Sequence, residues 1–122
     1  MRKTVFLDID GCIFIHPGMY HKIFTEIDQN HLLPGVREQF LDWERDGTYI
    51  VLVTGRKECL REITEKQLLS HGLFWDVLLM GLNNGPRYVI NDRKPNGNLT
   101  AFSINLRRNE GFGTLGEAPK PD

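Results

Sequence analysis

Cysteine is scarce in this chain, which has only Cys12 and Cys59 among its 122 residues. The two thiols do not form a CxxC pair, and two cysteines do not make a disulfide framework. We therefore expect a reducing setting, with the cytoplasm as the default location.

An excess of charge of either sign is also lacking, since 15 Lys and Arg residues stand against 16 Asp and Glu residues and give a net charge of −1. This balance provides no general attraction to nucleic acid or to an anionic membrane. No segment approaches the ~18 consecutive apolar residues of a membrane span. The N-terminal "MRKTVFLDID" has no apolar signal region before its first Asp. Secretion is therefore not expected.

The pattern that is present predicts one α/β domain with a mainly parallel sheet and flanking helices. Buried strands are expected in "KTVFLDI", "TYIVLVTGR", "WDVLLMG" and "RYVIND", with a last strand in "TAFSINL". The segments "LLPGVREQFLDWERDG" and "KECLREITEKQLLSHG" predict helices, because apolar residues recur along each at helical spacing. The segment "GCIFIHPGMY" predicts a tight turn with a flap, and the Gly- and Pro-rich residues 107–122 predict a loose tail.

Polar residues of a particular kind follow three of the predicted strands. Asp8 and Asp10 end the first, residues 54–56 end the second, and Asp92 ends "YVIND". Ligands of open parallel sheets bind beyond the carboxyl ends of the strands, so these three ends should share one crevice. The two-residue period of a strand also sends Asp8 and Asp10 to the same side.

The residue types in this crevice indicate metal and phosphate binding. Three carboxylates in close quarters repel one another unless a cation neutralises them. Oxygen ligands, with no His or Cys at metal-ligand spacing, favour a hard cation, and Mg²⁺ suits a site with few carboxylates and room for phosphate. Thr54, Gly55 and Arg56 would supply a hydroxyl, an approachable backbone N–H and a guanidinium, all of which are phosphate-binding groups.

The motifs "FLDIDG", "VLVTGR" and "YVINDR", in this order and at these distances, resemble those of the haloacid dehalogenase superfamily of phosphotransferases. The resemblance covers roughly residues 3–106 and implies a Rossmann-like fold. It implies that Asp8 is the nucleophile that forms an aspartyl-phosphate and that Asp10 is the general acid and base. It further implies that Mg²⁺ lies between Asp8, the Asp10 carbonyl and Asp92, while Thr54 and the N–H of the next residue hold phosphoryl oxygens.

One departure from this pattern concerns positive charge. The superfamily normally has a Lys or Arg shortly before its acidic motif, where this chain has Leu82, Asn83 and Asn84. Arg87 would lie at the far end of a strand that spans ~17 Å, too far from the phosphate. We therefore expect Lys94, or Lys57 as second choice, to supply the cation, with the Arg of "VTGR" clamping the substrate.

The chain is expected to lack a cap domain, because only about twenty residues separate Phe14 from Leu33 and one helix occupies residues 56–75. We expect residues 1–106 to form the phosphatase-like core. An uncovered site implies a neighbouring subunit as a lid, hence a homo-oligomer, or a bulky substrate.

The resemblance implies a Mg²⁺-dependent phosphomonoesterase that acts on a small metabolite such as a sugar phosphate. The sequence is also similar to small capless phosphatases of bacterial sugar metabolism, which favours the same substrate class. Neither nucleic acid nor membrane is expected as a partner. Two alternatives stay open, a phosphatase of macromolecular phosphates and a non-catalytic module that binds metal or phosphate. A response-regulator receiver fits less well, because its phosphoacceptor Asp lies on a middle strand.

Overall fold

The computed structural model describes residues 2–16 and 32–113. Its elements in chain order are β1 (Thr4–Asp8), α1 (Val36–Asp46), β2 (Tyr49–Val53), a 3₁₀ turn (Glu58–Leu60), α2 (Arg61–Ser70) and β3 (Val77–Leu79). The predicted α/β class with a parallel sheet is confirmed, as a three-stranded sheet with two helices. Among the described residues, no helix has both the length and the apolar character needed to cross a membrane.

The sheet has the order β1-β2-β3, and both pairs of neighbours are parallel. Asp8 is paired with Val53, and Val53 is paired with Leu79. The last residues of all three strands therefore lie in one row. The segments that follow them leave the sheet at its carboxyl-terminal end, as predicted for β1 and β2.

Helix α1 forms as its sequence predicts. Val36, Phe40 and Trp43 recur at the spacing of one helix face, and all three are buried. Gly47 ends the helix in the left-handed conformation, at φ 69°, and its N–H donates to the carbonyl of Glu44. All three residues of this face lie in the hydrophobic core, together with residues of β1 and β2.

Helix α2 differs from the apolar helix expected for this segment. Leu68 is buried as predicted, but the other buried residues of the helix are the polar Thr64 and Gln67. A buried hydroxyl or amide is costly unless it is hydrogen bonded. Their burial therefore requires a partner, which the candidate site provides.

The predicted strands in "RYVIND" and "TAFSINL" are wrong, because no strand forms after β3 in the described part of the chain. Tyr88 is 85% exposed and Ile90 is 92% exposed. The backbone that follows bonds locally, with the Lys94 N–H donating to the carbonyl of Asn98 at 3.0 Å. Strand propensity reflects packing against neighbouring strands, and these apolar residues have no such neighbour within the described ranges.

The predicted boundary after residue 106 does not mark the end of the packed body. Phe112 is buried in the core and stacks edge-on against Trp43, with ring centroids 5.9 Å apart. Its N–H donates to the carbonyl of Pro34 at 3.1 Å, and the Asn109 N–H donates to the carbonyl of Gly11 at 3.0 Å. Residues 107–113 therefore belong to the fold, while the rest of the predicted tail lies outside the described residues.

Two further predictions touch the segment between the described ranges. The last four residues of the predicted flap, 17–20, and most of the stretch expected to be too short for a cap lie outside the described residues. The two ends of that segment are joined, because the Leu33 N–H donates to the carbonyl of Ile13 at 2.8 Å.

Candidate functional site

Asp8 is the last residue of β1 and is held by its own loop. Its Oδ1 accepts the N–H of Ile9 at 3.0 Å. Desolvation of the carboxyl group by the surrounding protein raises its pKa above the ordinary value of 3.8, although the residue as a whole is exposed. The Ile9 N–H, Arg87 and His16 lower this pKa, and the negative charge of Asp10 raises it.

Asp10 lies two residues beyond, in the turn that leaves β1, and it is bound by Arg56. The Nε of Arg56 donates to Asp10 Oδ2 at 3.0 Å, and its Nη2 donates to Oδ1 at 2.7 Å. This fork-to-fork ion pair joins the loop after β1 to the loop after β2. The predicted convergence of these two strand ends is therefore present in the structure.

Thr54 follows β2 directly and is buried. Its N–H donates to the carbonyl of Leu79 at 3.0 Å, and its Oγ1 accepts the N–H of Arg56 at 3.1 Å. The hydroxyl proton is not used by that bond, so Thr54 keeps a donor. The predicted role of this hydroxyl as a phosphate donor stays a prediction.

Gly55 lies against the loop that follows β3. A Cβ at Gly55 would stand 3.1 Å from Asn84 Oδ1. The two loops are also hydrogen bonded, with Leu82 N–H donating to the carbonyl of Thr54 at 3.1 Å and Gly81 N–H to that of Arg56 at 2.7 Å. The segment in which a Lys was expected therefore lies beside the predicted phosphate-binding turn and presents an amide there.

Arg56 does not fit the predicted role of a substrate clamp. Besides its two bonds to Asp10, its Nη1 donates to Thr64 Oγ1 at 3.0 Å and to Gln67 Oε1 at 2.9 Å. Four hydrogen bonds thus engage a side chain that has five N–H donors and is 3% exposed. The sequence placed this Arg at the correct strand end, but burial turns it toward the protein.

Arg87 is the larger of the two positive charges that lower the pKa of Asp8, the other being His16. The Nη1 of Arg87 donates to the carbonyls of Asn83 and Gly85, both at 2.9 Å. Arg87 was expected to lie too far from the phosphate because residues 87–92 were predicted to form a strand. That strand does not form, so the premise of this expectation was wrong. Lys57 and Lys94 are not among the charges that shift the pKa of Asp8.

Asp92 is exposed and lies in irregular chain, with its carbonyl accepting the hydroxyl of Thr100 at 2.5 Å. Within residues 2–16 and 32–113, no three His, Cys, Asp or Glu side chains group as a metal site would require. Asp92 therefore does not join Asp8 and Asp10 in the described arrangement. The prediction of Mg²⁺ at this site stays a prediction.

The 107–113 segment supplies residues that sequence reasoning missed. Asn109 Oδ1 accepts the backbone N–H of His16 at 2.7 Å. A Cβ at Gly11 would stand 3.3 Å from Arg108 Cγ, so Arg108 packs on the Asp8–Asp10 loop. Burial, with the negative charge of Asp8 beside it, raises the pKa of Cys12 to about 11, although Arg108 lowers it. A thiol with a pKa this far above neutrality carries little thiolate, which is the reactive form of cysteine.

No protein-family model matches the chain, and neither a curated protein nor a solved structure matches it. The relationship indicated by the three motifs therefore remains a resemblance, and any function must be argued from the site itself.

Proposed function

We propose that the chain is a Mg²⁺-dependent phosphomonoesterase with a haloacid-dehalogenase-like site, acting through an aspartyl-phosphate at Asp8. The observation that carries this proposal is the ion pair between Asp10 and Arg56, at 2.7 and 3.0 Å. It joins the turn after β1, which contains Asp10, to the Thr54 turn after β2 at one end of the sheet. In an open parallel sheet, this is where a ligand binds.

Asp8 has the role of nucleophile. A carboxylate oxygen of Asp8 attacks phosphorus, a new O–P bond forms, and the bond from phosphorus to the substrate alkoxide breaks. Asp10 gives a proton to the departing alkoxide and then takes one from the water that hydrolyses the aspartyl-phosphate. That hydrolysis releases inorganic phosphate and restores Asp8.

The surroundings of Asp8 support this role. A nucleophilic carboxylate must be ionised, and burial opposes ionisation by raising its pKa. Arg87 acts against that rise, and its guanidinium is held in place by two backbone carbonyls. The same positive charge would attract the phosphate group of a substrate and stabilise the charge that develops on it.

The donor set at the end of β1 fits Mg²⁺ in part. Asp8 has a partly buried carboxylate that a cation would stabilise, and Asp10 follows in the same loop. Mg²⁺ is usually bound by only one or two carboxylates and keeps several waters. We expect Asp8 and the carbonyl of Asp10 to hold it, without Asp92. When bound, Mg²⁺ would reduce the repulsion between the nucleophile and an anionic phosphate.

A small phosphorylated metabolite, such as a sugar phosphate, is the substrate class that we propose. The net charge of −1 gives no basic stripe to follow a polyanion such as a nucleic acid. The loops around Asp8 nonetheless carry local positive charge in Arg87 and Arg108. A single phosphate group matches this small cationic region better than a chain of phosphates.

A second candidate is a module that binds phosphate without turnover. It is favoured by the state of Asp10, both of whose oxygens already accept hydrogen bonds from Arg56. A carboxylate has about four lone-pair sites, so these bonds do not exclude proton transfer, but they restrict it. Turnover is the observation that separates the two candidates.

The test is a panel of phosphate esters that includes sugar phosphates, a nucleotide, a phosphopeptide and a 5′-phosphorylated oligonucleotide. We expect release of inorganic phosphate in Mg²⁺, loss of release in excess chelator, and a preference for the small esters. Asp10→Asn should lower kcat by about 10²-fold or more, as removal of a general acid does. Saturable phosphate binding without any release from the panel would replace the enzyme by the binding module.

A further inference from the structure

We infer that Thr64 and Gln67 on α2 are positioning residues for Asp10, acting through the guanidinium of Arg56. What Asp10 does chemically rests on the proposed function, whereas the coupling of these four side chains rests on the structure alone. None of the three sequence motifs contains Thr64 or Gln67.

The guanidinium of Arg56 is held on two edges. One edge, formed by Nε and Nη2, faces the carboxylate of Asp10. On the other side, Nη1 donates to Thr64 Oγ1 at 3.0 Å and to Gln67 Oε1 at 2.9 Å. Because the guanidinium is planar and rigid, fixing Nη1 also fixes the fork that binds Asp10.

The burial of Thr64 and Gln67 is explained by this contact. They stand three residues apart on one face of α2, and they are 0% and 7% exposed. An apolar residue at either position would avoid the cost of burying a polar group. Both present an oxygen to the same nitrogen of Arg56, so their polar atoms serve the ion pair.

Helix α2 is itself fastened to the sheet, which makes it a rigid support. Arg61, at its first turn, donates from Nη2 to the carbonyl of Leu78 in β3 at 2.9 Å. Glu58 in turn binds Arg61 through two hydrogen bonds of 2.8 Å. Hydrogen bonds therefore connect Asp10 to β3 through Arg56 and α2, in addition to the support that its own loop provides. Catalytic groups gain from such support, since a displacement of about 1 Å can cost about 10²-fold in rate.

The experiment compares Thr64→Val and Gln67→Met with the parent chain on one accepted ester. We expect kcat to fall by about tenfold or more in each, with KM within about twofold, because the interaction orients a group that acts in the transition state. Thr64→Ser keeps the hydroxyl and should restore most of the activity. Lys66→Ala, exposed on the same helix, is the matched control and should behave like the parent.

A rise in KM at constant kcat would overturn the inference, because it would place Arg56 on the substrate. Unchanged kinetics in Thr64→Val and Gln67→Met would overturn it as well.

A second measurement does not depend on turnover. In urea unfolding of Asp10→Asn, Gln67→Met and the double variant, we expect the double variant to lose less stability than the sum of the single losses. Strict additivity would refute the coupling, whether or not any ester is hydrolysed. If the parent releases no phosphate from any ester, the proposed function fails, and this cycle alone decides whether Gln67 and Asp10 are coupled.

Discussion

The carboxyl group of Asp8 has a folded-state pKa above its ordinary value of 3.8, chiefly because of burial. At pH values between 3.8 and the raised pKa, the folded state binds more protons at this group than the unfolded state does. The charge therefore destabilises the metal-free fold above the folded-state pKa, and the effect disappears as the pH falls below 3.8. Function and stability are opposed at this residue.

We predict that Asp8→Asn melts slightly higher than the parent at pH 7 in the presence of chelator, by no more than about 2 °C, since it removes a partly desolvated charge on an exposed residue. Asparagine keeps the oxygen that accepts the Ile9 N–H. The gain should shrink as the pH is lowered toward 4. Calorimetry of both proteins from pH 7 to pH 4 measures this, with Asp46→Asn as an exposed control. A lower melting temperature for Asp8→Asn at pH 7 would contradict the assignment of burial as the main cause.

Arg87 is predicted to supply the positive charge that the motif pattern lacks. Arg87→Ala should lower kcat/KM by about tenfold or more on an accepted ester, because it removes the larger of the two positive charges that act on Asp8. Lys57→Ala and Lys94→Ala should each have a smaller effect. Steady-state kinetics of the three variants decides between them. A large fall for Lys94 with none for Arg87 would restore the expectation drawn from the sequence.

At the scale of elements, the turn at residues 109–113 closes the fold beside the site. Gly111 has φ 80°, and a Cβ there would collide with the carbonyl oxygen of Pro34. The same turn places Phe112 in the core and Asn109 against the loop after β1. This short segment is thus hydrogen bonded both to the chain just before the N-terminus of α1 and to the loop that carries Asp10.

We predict that Gly111→Ala destabilises the fold by about 1–3 kcal/mol, because it combines a strained backbone with a steric clash. Gly113→Ala is the matched control, since a Cβ at Gly113 meets nothing within 4 Å. Urea unfolding curves give both values. Equal stabilities for the two variants would show that the 107–113 segment does not hold the position described here.

The elements that were predicted correctly are those whose sequence pattern is local and strong. Val36, Phe40 and Trp43 mark one face of α1, and the run that becomes β2 is largely buried as expected. The run that becomes β1 forms its strand, but only Leu7 of it is buried, so the expectation of a buried strand was wrong there. The segment containing Tyr88 and Ile90 has the composition of a strand as well. Composition does not specify a partner, however, and hydrogen bonding between strands decides whether a strand forms.

The sequence predicted where the site residues lie in the sheet better than it predicted which side chains they contact. Asp8 and Thr54 were correctly placed at neighbouring strand ends, because strand direction determines where they lie, and Asp10 follows in the turn after β1. The two bonds from Arg56 to α2 were not predictable, since they depend on how that helix is rotated about its axis. One signal was present: polar residues three positions apart, Thr64 and Gln67, fall on the face that a helix turns toward its core.

At the scale of the whole molecule, the three parallel strands point their carboxyl ends toward one region, and the later segments converge on it. The loop after β3 bonds to the Thr54 turn, and the turn at residues 109–113 bonds to the loop after β1. The opposite end of the sheet carries a different group, in which Lys3 and Asp46 form an ion pair at 4.0 Å. This separation provides a control position that shares the fold but not the crevice.

An aspartyl-phosphate at Asp8 is tested by measuring phosphate release by Asp8→Asn, compared with Asp46→Asn and with the parent, on the best ester of the panel in Mg²⁺. Loss of a covalent nucleophile should lower kcat by about 10³-fold or more, while Asp46→Asn should match the parent. Melting curves of each variant establish that it is folded. Activity of folded Asp8→Asn within about tenfold of the parent, a barrier difference of only ~1.4 kcal/mol, would contradict an aspartyl-phosphate at Asp8.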